Sequence, residues 1–273
     1  MSEFCTRPAT LADLDAMLEA ERHSWDELEY ALSRKQLADF VTTFGEGTIL
    51  VIDQKTGHIA AFSSTVRVVY NPEEPDTWIG MSGDGYISRT HVSDGPSLYG
   101  VNLSCQVDYR GTGASVMAMQ AQMELAERLG IEHFYLGARI PGFAKWSRVF
   151  SLSDYISLRR HGTGIYLDQP KGIVFVADSS TARRCRTEGR SLSFDRKTFI
   201  HDPQRIREVR SSPHLDHELA LFDRAVHAGF GFEVMSGLSE YFVDPDSLNC
   251  AALLVWRNPA FALATEALHA ESA

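Results

Sequence analysis

The residues Cys105-Gln106-Val107-Asp108-Tyr109-Arg110-Gly111-Thr112-Gly113-Ala114-Ser115 place an arginine, two glycines and two flanking hydroxyls immediately before a long helical pattern. The first turn of a helix carries backbone N–H groups with no intrahelical acceptor, and the helix dipole adds partial positive charge there. Glycine lets a bulky anion approach those groups, so a strand–RGTGAS–helix junction suits a diphosphate. An ordinary capped turn has the same composition, and the glycines alone do not separate the two. Two phosphate loops of other kinds fit poorly. A Walker A loop needs a Gly-Lys-Ser/Thr run, which is absent, and the dinucleotide fingerprint GxGxxG meets Val116 at its last glycine.

The elements that must position this junction are legible on both sides of it. Thr10 opens a helix with Leu11, Leu14, Met17 and Leu18 at helical spacing, and Ser33 with Gln36 forms a capping box before Leu37, Phe40, Val41 and Phe44. Two β-rich runs, Thr48–Asp53 and Ile59–Tyr70, flank the hairpin signal Gln54-Lys55-Thr56-Gly57-His58. Residues 71–85 read as a loop, Ser97–Val107 as a strand, Gly113–Leu129 as a helix and His133–Ala138 as a second strand. A short helix from Ser153, a strand at Ile173–Ala177, a helix at Asp216–His227, strands at Phe230–Phe242 and Cys250–Trp256, and a helix at Ala260–His269 complete the reading. The order ααββ–βα–βα–ββ predicts an α/β protein, a mixed sheet flanked by helices, in one domain over residues 1–273.

Composition narrows the function classes. A net charge of -10 disfavours nucleic acid as a partner. The longest strongly apolar run, Ala251–Trp256, is too short to span a bilayer, and MSEFCTRPATLADL has no signal-peptide pattern. The four cysteines form no CxxC pair and do not cluster with histidine, which argues against a disulfide framework or a metal site and for a cytoplasmic setting. A homodimer is an open expectation.

The run LSCQVDYRGTGASVMAMQAQMELAERLGI resembles the signature segment of the GNAT superfamily of acyl-CoA-dependent N-acyltransferases, in which a strand is followed by (Arg/Gln)-x-x-Gly-x-(Gly/Ala) and a helix. Arg110, Gly113 and Ser115 stand at the three marked places, Ser115 departing from the usual residue. Three further pieces, GDGYISRTHVSDGPSLYG, YLGARIPGFAKW and GFGFEVMSGLSEYFVDPDSLNCAALLVWRNP, are similar to the acetyltransferase-like domain fused ahead of some bacterial carbon–nitrogen (nitrilase-type) hydrolases. The matches cover residues 1–158 and about 216–259; the hydrolase part has no counterpart here. The segment at about 160–215 is an insertion in which twelve Lys/Arg outnumber six Asp/Glu between residues 159 and 210.

The resemblance implies a GNAT-like fold with a splayed sheet, acetyl-CoA or another acyl-CoA as acyl donor, and a small-molecule amine as acceptor. Pantetheine amides would pair with the edge of Leu103, Ser104 and Cys105. Arg110, Gly111, Thr112, Gly113, Ala114, Ser115 and Val116 would seat the diphosphate, and an amine would attack directly in a ternary complex. Tyr155, on the helix after the second splayed strand, would protonate the leaving thiolate or else anchor its helix. Glu21 and His23 read as base and substrate contact, or as a solvated helix face. Arg139, in GARIPGF, reads as a contact for an acidic substrate group or as an exposed strand end, and Cys105 as a small core residue. Two other functions share the pocket: a non-catalytic acyl-CoA-binding module, and an acyl-CoA decarboxylase or hydrolase.

Overall fold

The computed structural model describes residues 3–25, 31–148, 151–156, 158–161, 164–169, 172–176, 197–199 and 230–261. Strand β1 (Phe4–Pro8) is followed by α1 (Leu14–Ser24) and α2 (Arg34–Phe44), then β2 (Thr48–Asp53) and β3 (Ile59–Val68). A strap holding the short α3 (Trp78–Ser82) leads to β4 (Ser97–Cys105), α4 (Ala114–Arg128) and β5 (His133–Arg139). Beyond these lie α5 (Phe143–Trp146), α6 (Leu152–Ile156), β6 (Leu158–His161), β7 (Gly164–Gln169), β8 (Gly172–Val176), β9 (Lys197–Phe199), β10 (Glu233–Leu238) and β11 (Ala251–Arg257). Seven strands form a mixed sheet in the order β1-β2-β3-β4-β5-β11-β10, and β6-β7-β8-β9 form a second sheet. Contacts group the chain into two compact units: Met1–Gly137 with Phe230–Phe232 and Val255–Ala273, and Ala138–Gly229 with Glu233–Leu254.

Local signals account for most of the first unit. Ser33 caps α2 by accepting the Gln36 amide, and the Gln36 side chain returns a bond to the Ser33 amide at 2.8 Å. That capping box starts the helix where the sequence predicts it. Leu37, Phe40 and Phe44 form its buried stripe. Strand β1 escaped the sequence reading because only Phe4 of its five residues is buried, and it ends at a proline. It pairs with β2 alone, at the sheet edge, where proline is tolerated. The stretch 71–85, read as loop, carries α3, capped by Thr77 and ended by Gly83 at φ 62°. The expected helix Asp216–His227 and most of Ser179–Pro213 lie outside the described residues, and the last helix is described only to residue 261.

The two faces of β3 and β4 carry different helices. Ala60 and Ala61 on β3 meet Ala114 and Ala118 of α4, with Leu103 and Cys105 packed against the same cluster. Gln122, fully buried on α4, donates to the Gly47 carbonyl at 2.9 Å and to Ser63 Oγ at 3.0 Å, and accepts from Thr65 Oγ1 at 3.2 Å. Phe62 and Ser104, paired across the strands, occupy the opposite face, under α1. Among the described residues, no helix is long and apolar enough to cross a membrane.

Gln122 is thus the polar pin that holds α4 on the sheet. Gln122→Met keeps the volume and deletes every Gln122 bond, so the Ser63 hydroxyl loses its donor and the Gly47 carbonyl keeps only the Thr65 hydroxyl at 3.3 Å. We expect a loss of about 2–4 kcal/mol, read as a lower urea midpoint at unchanged slope. A midpoint equal to wild type would contradict this.

Candidate functional site

The parallel pairing of β4 with β5 runs from Ser97↔His133 to Gly100↔Leu136 and ends there, although β4 continues to Cys105. The cause sits in β4 itself. Thr65 of β3 pairs with Gly100 and Ser64 with Asn102, so Val101 is an extra residue. Such a bulge bends the strand and increases its twist, which turns β4 away from β5. Gly100 marks the closest approach, since a Cβ there would lie 3.1 Å from Leu136 Cβ.

Hydrogen-bond parity then decides which backbone groups are left over. The Gln106 amide donates to the Ala60 carbonyl at 3.1 Å. Bonded and non-bonded pairs alternate along an antiparallel ladder, so Ser104 and Asn102 direct their backbone groups to β3. Leu103 and Cys105 direct theirs to the side that β5 has left. The edge available to an extended ligand is therefore Leu103 and Cys105, with Ser104 between them committed to β3.

The turn that follows is fastened from beneath. Val107–Tyr109 form a 3-10 turn, and the Tyr109 carbonyl accepts both the Thr112 amide at 3.3 Å and its hydroxyl at 2.7 Å. The Tyr109 hydroxyl donates to Asp53 at 3.0 Å, and its ring lies edge-on to Phe4 at 6.1 Å. Gly111 (φ 80°) and Gly113 (φ 93°) are both left-handed, and a Cβ on either would meet nothing within 4 Å. Tight packing is therefore not why glycine stands there; positive φ and open space above the turn are. Gly113 is the N-cap of α4 and offers no side chain to its first-turn amides. Val116 is half-exposed beside them and Ala114 is buried.

Arg110 donates to the Ser24 carbonyl at 2.8 Å, placing a cation at the C-terminus of α1, where the helix dipole favours it. Burial pushes the Cys105 thiol up, against the opposing pull of the Arg110 charge and the Ser115 amide. A thiol so held is no ready nucleophile.

Glu21 departs furthest from a solvated helix face. It is fully buried. One carboxylate oxygen accepts from Trp25 Nε1 and the Leu32 amide, each at 3.0 Å; the other accepts from the Ser104 hydroxyl and, at 3.5 Å, from Asn102 Nδ2. Burial drives its pKa up, with those four donors opposing the rise. A signal for this existed: Glu21 follows Leu14 by seven and Met17 by four residues, on the stripe these two define. His23, by contrast, is exposed.

No family model matches the chain. It is 30% identical over 129 residues to YkwB, an uncharacterized N-acetyltransferase of Bacillus subtilis strain 168, covering 47% of this chain and 56% of that protein. It is 24% identical over 151 residues to YhcX, a probable hydrolase of the same organism, covering 55% of this chain and 29% of that protein. The chain thus spans roughly a third to a half of these relatives. The loading GNATL domain of CurA from Lyngbya majuscula superposes with a TM-score of 0.61 at 12% identity, covering 94% of this chain and 98% of that one. The GNAT-like decarboxylase GphF, solved with isobutyryl-CoA, superposes with a TM-score of 0.57 at 17% identity, covering 93% and 98%. The chain has the GNAT fold.

The second unit of this GNAT fold holds the other two predicted residues. Arg139 forks onto Asp244 through two bonds of 2.9 Å, and Ser247 donates to the same carboxylate at 2.7 Å. The acidic group that Arg139 meets is thus one of the chain's own. Burial raises the Asp244 pKa, but these contacts outweigh it and leave the carboxyl below its usual range. Asp246 accepts the Gly142 amide at 2.9 Å, and the buried Tyr155 hydroxyl donates to the Pro141 carbonyl at 2.7 Å. Sequence reasoning missed Asp53 and Asp244, whose partners lie far along the chain. Among the described residues, no group of three or more His, Cys, Asp and Glu is arranged to hold a metal.

The raised pKa of Glu21 has a measurable consequence. Its proton is held more tightly in the folded state than in the unfolded one, so its contribution is fully favourable below the ordinary value of 4.5 and is lost as pH rises through the folded pKa. Glu21→Gln keeps the shape, and its amide nitrogen can face Ser104 and Asn102, which both accept. The stability difference between variant and wild type should therefore move in the variant's favour from about pH 4 upwards, measured by urea unfolding. A difference independent of pH would contradict the raised pKa.

Proposed function

We propose that this protein transfers an acyl group, acetyl in the first instance, from acyl-CoA to the amine of a small molecule by direct attack in a ternary complex. The observation that carries the reading is the continuity of an unpaired strand edge at Leu103 and Cys105 with a glycine turn at a helix N-terminus. A CoA thioester has that order of groups: amides along pantetheine, then a diphosphate. Leu103 and Cys105 would pair the amides, and the N–H groups of Gly111 and of Gly113 to Val116 would hold the diphosphate, with Arg110, Thr112 and Ser115 shaping the turn. A backbone amide beside the bulge would stabilise the developing oxyanion. Similarity to YkwB over about half the chain supports the same chemistry.

In this reading Glu21 is the base, reached through the Ser104 hydroxyl that touches it. Tyr155 is the acid for the leaving thiolate, which requires its hydroxyl to leave the Pro141 carbonyl. His23 and the remaining donors of Arg139 are substrate contacts. The one-domain organisation with an insertion at about 160–215, a cytoplasmic site of action and a homodimer belong to the same proposal. A second reading, decarboxylation of an acyl-CoA, has specific support: two solved structures that superpose above 0.5 are a loading domain and a decarboxylase. Thiol release that depends on added amine supports the first reading. Carbon dioxide release from malonyl-CoA without amine would replace it with the second.

Two variants test the residue roles. Gly113→Asp and Gly113→Asn impose similar left-handed strain, but only the aspartate adds charge beside the diphosphate. Calorimetry should show acetyl-CoA binding at least about tenfold weaker for Asp than for Asn; equal affinities would remove the diphosphate seat. Tyr155→Phe should lower kcat by about 10²–10⁴-fold if the hydroxyl is the acid. An unchanged kcat with stability lower by about 1 kcal/mol would leave Tyr155 as the anchor of its helix.

A further inference from the structure

The strap between β3 and β4 carries a tryptophan bonded to β4 at the bulge. Trp78, at the start of α3, donates its indole N–H to the Val101 carbonyl at 2.9 Å. Val101 is the bulged residue, so this indole is fixed to β4 at the point where the strand leaves its partner.

The placement is rigid. Thr77 caps α3 by accepting the Gly80 amide at 3.1 Å, and Gly83 ends it in the left-handed conformation. Downstream, the Asp84 carbonyl accepts from Gln36 Nε2 at 2.8 Å, and the Ser88 amide donates to Asp39 at 3.0 Å, both on α2. The Gly95 carbonyl takes Arg67 Nε and a terminal guanidinium nitrogen at 3.1 and 2.8 Å. The strap is thus tied to α2 and β3 downstream of α3, and Trp78 itself is half-buried and bonded to β4.

We infer that Trp78 is a specificity residue: its indole walls the acyl end of the thioester and limits the acyl chain to a short one. The inference rests on the proposed acyl-CoA reading, in which pantetheine follows Leu103 and Cys105 and the acyl carbonyl sits at the bulge. The carbonyl of Val101 is already occupied by the indole, so a chain extending past that point meets the ring. An apolar wall of this kind discriminates through volume, and one methylene group is worth about 10–200-fold.

Trp78→Ala removes the wall, and Trp78→Phe keeps an aromatic face while shortening it and deleting the N–H. Calorimetric titration with CoA, acetyl-CoA and butyryl-CoA separates the outcomes without knowledge of the amine. We expect wild type to favour acetyl-CoA over butyryl-CoA. Trp78→Ala should move that ratio at least about tenfold toward butyryl-CoA, with affinity for CoA itself unchanged, and Trp78→Phe should move it less in the same direction. An unchanged ratio in both variants, with CoA still bound, overturns the role of Trp78 alone. Wild type that binds none of the three ligands overturns the acyl-CoA reading and this inference with it. Should the alanine variant fail to fold, an unchanged ratio in Trp78→Phe is sufficient to overturn the wall.

Discussion

A strand inside a sheet normally has strand partners on both sides, and among the described residues β4 has them only as far as Gly100. The bulge at Val101 is the constraint on which the rest depends. Leaving N–H and C=O groups without a strand partner costs free energy comparable to lost hydrogen bonds unless water or a ligand replaces them. The chain accepts that cost along Leu103 and Cys105, then places a left-handed glycine turn and a helix N-terminus directly after them. Each feature has an ordinary structural account by itself. Their succession along one strand is what matches an extended ligand ending in an anion.

The surroundings keep this edge from collapsing. Beneath it, α4 packs closely through Ala114 and Ala118 and is pinned by Gln122. Above it, Glu21 ties the end of α1 to Ser104 and Asn102, the residues whose backbone faces β3. Arg110 binds the same helix end from the turn itself. A buried carboxylate that loses its donors is strongly destabilising, so Glu21 makes α1, Trp25, Leu32 and β4 interdependent. That interdependence explains how a strand with one free edge is held in a fixed position.

The fold was largely legible because its elements carry local instructions: the Ser33 capping box, the Gln54–His58 hairpin and the apolar stripe of α2. The glycine turn was legible for the same reason, as φ > 0 at two positions has a direct sequence signature. What escaped depends on distant partners. Strand β1 is defined by its pairing with β2 and not by its own composition. Arg139 reads as a free cation until Asp244, 105 residues on, is brought beside it. Glu21 reads as a surface acid because charged residues are rarely fully buried unless paired, although its spacing from Leu14 and Met17 pointed inward. The bulge at Val101 has no sequence signature in a chain read alone, since it exists only in the register between two strands.

Residue-resolved amide exchange with and without acetyl-CoA reports which backbone groups of β4 and the glycine turn a ligand covers. The parity of the ladder predicts that ligand binding slows exchange at Leu103 and Cys105, and the open glycine turn predicts the same at Gly111 and at amides from Gly113 to Val116. It predicts little change at Asn102 and Ser104, whose amides already face β3. Protection of Asn102 and Ser104 instead, or none along β4 at saturating acetyl-CoA, would contradict the claim that this open edge is the thioester seat.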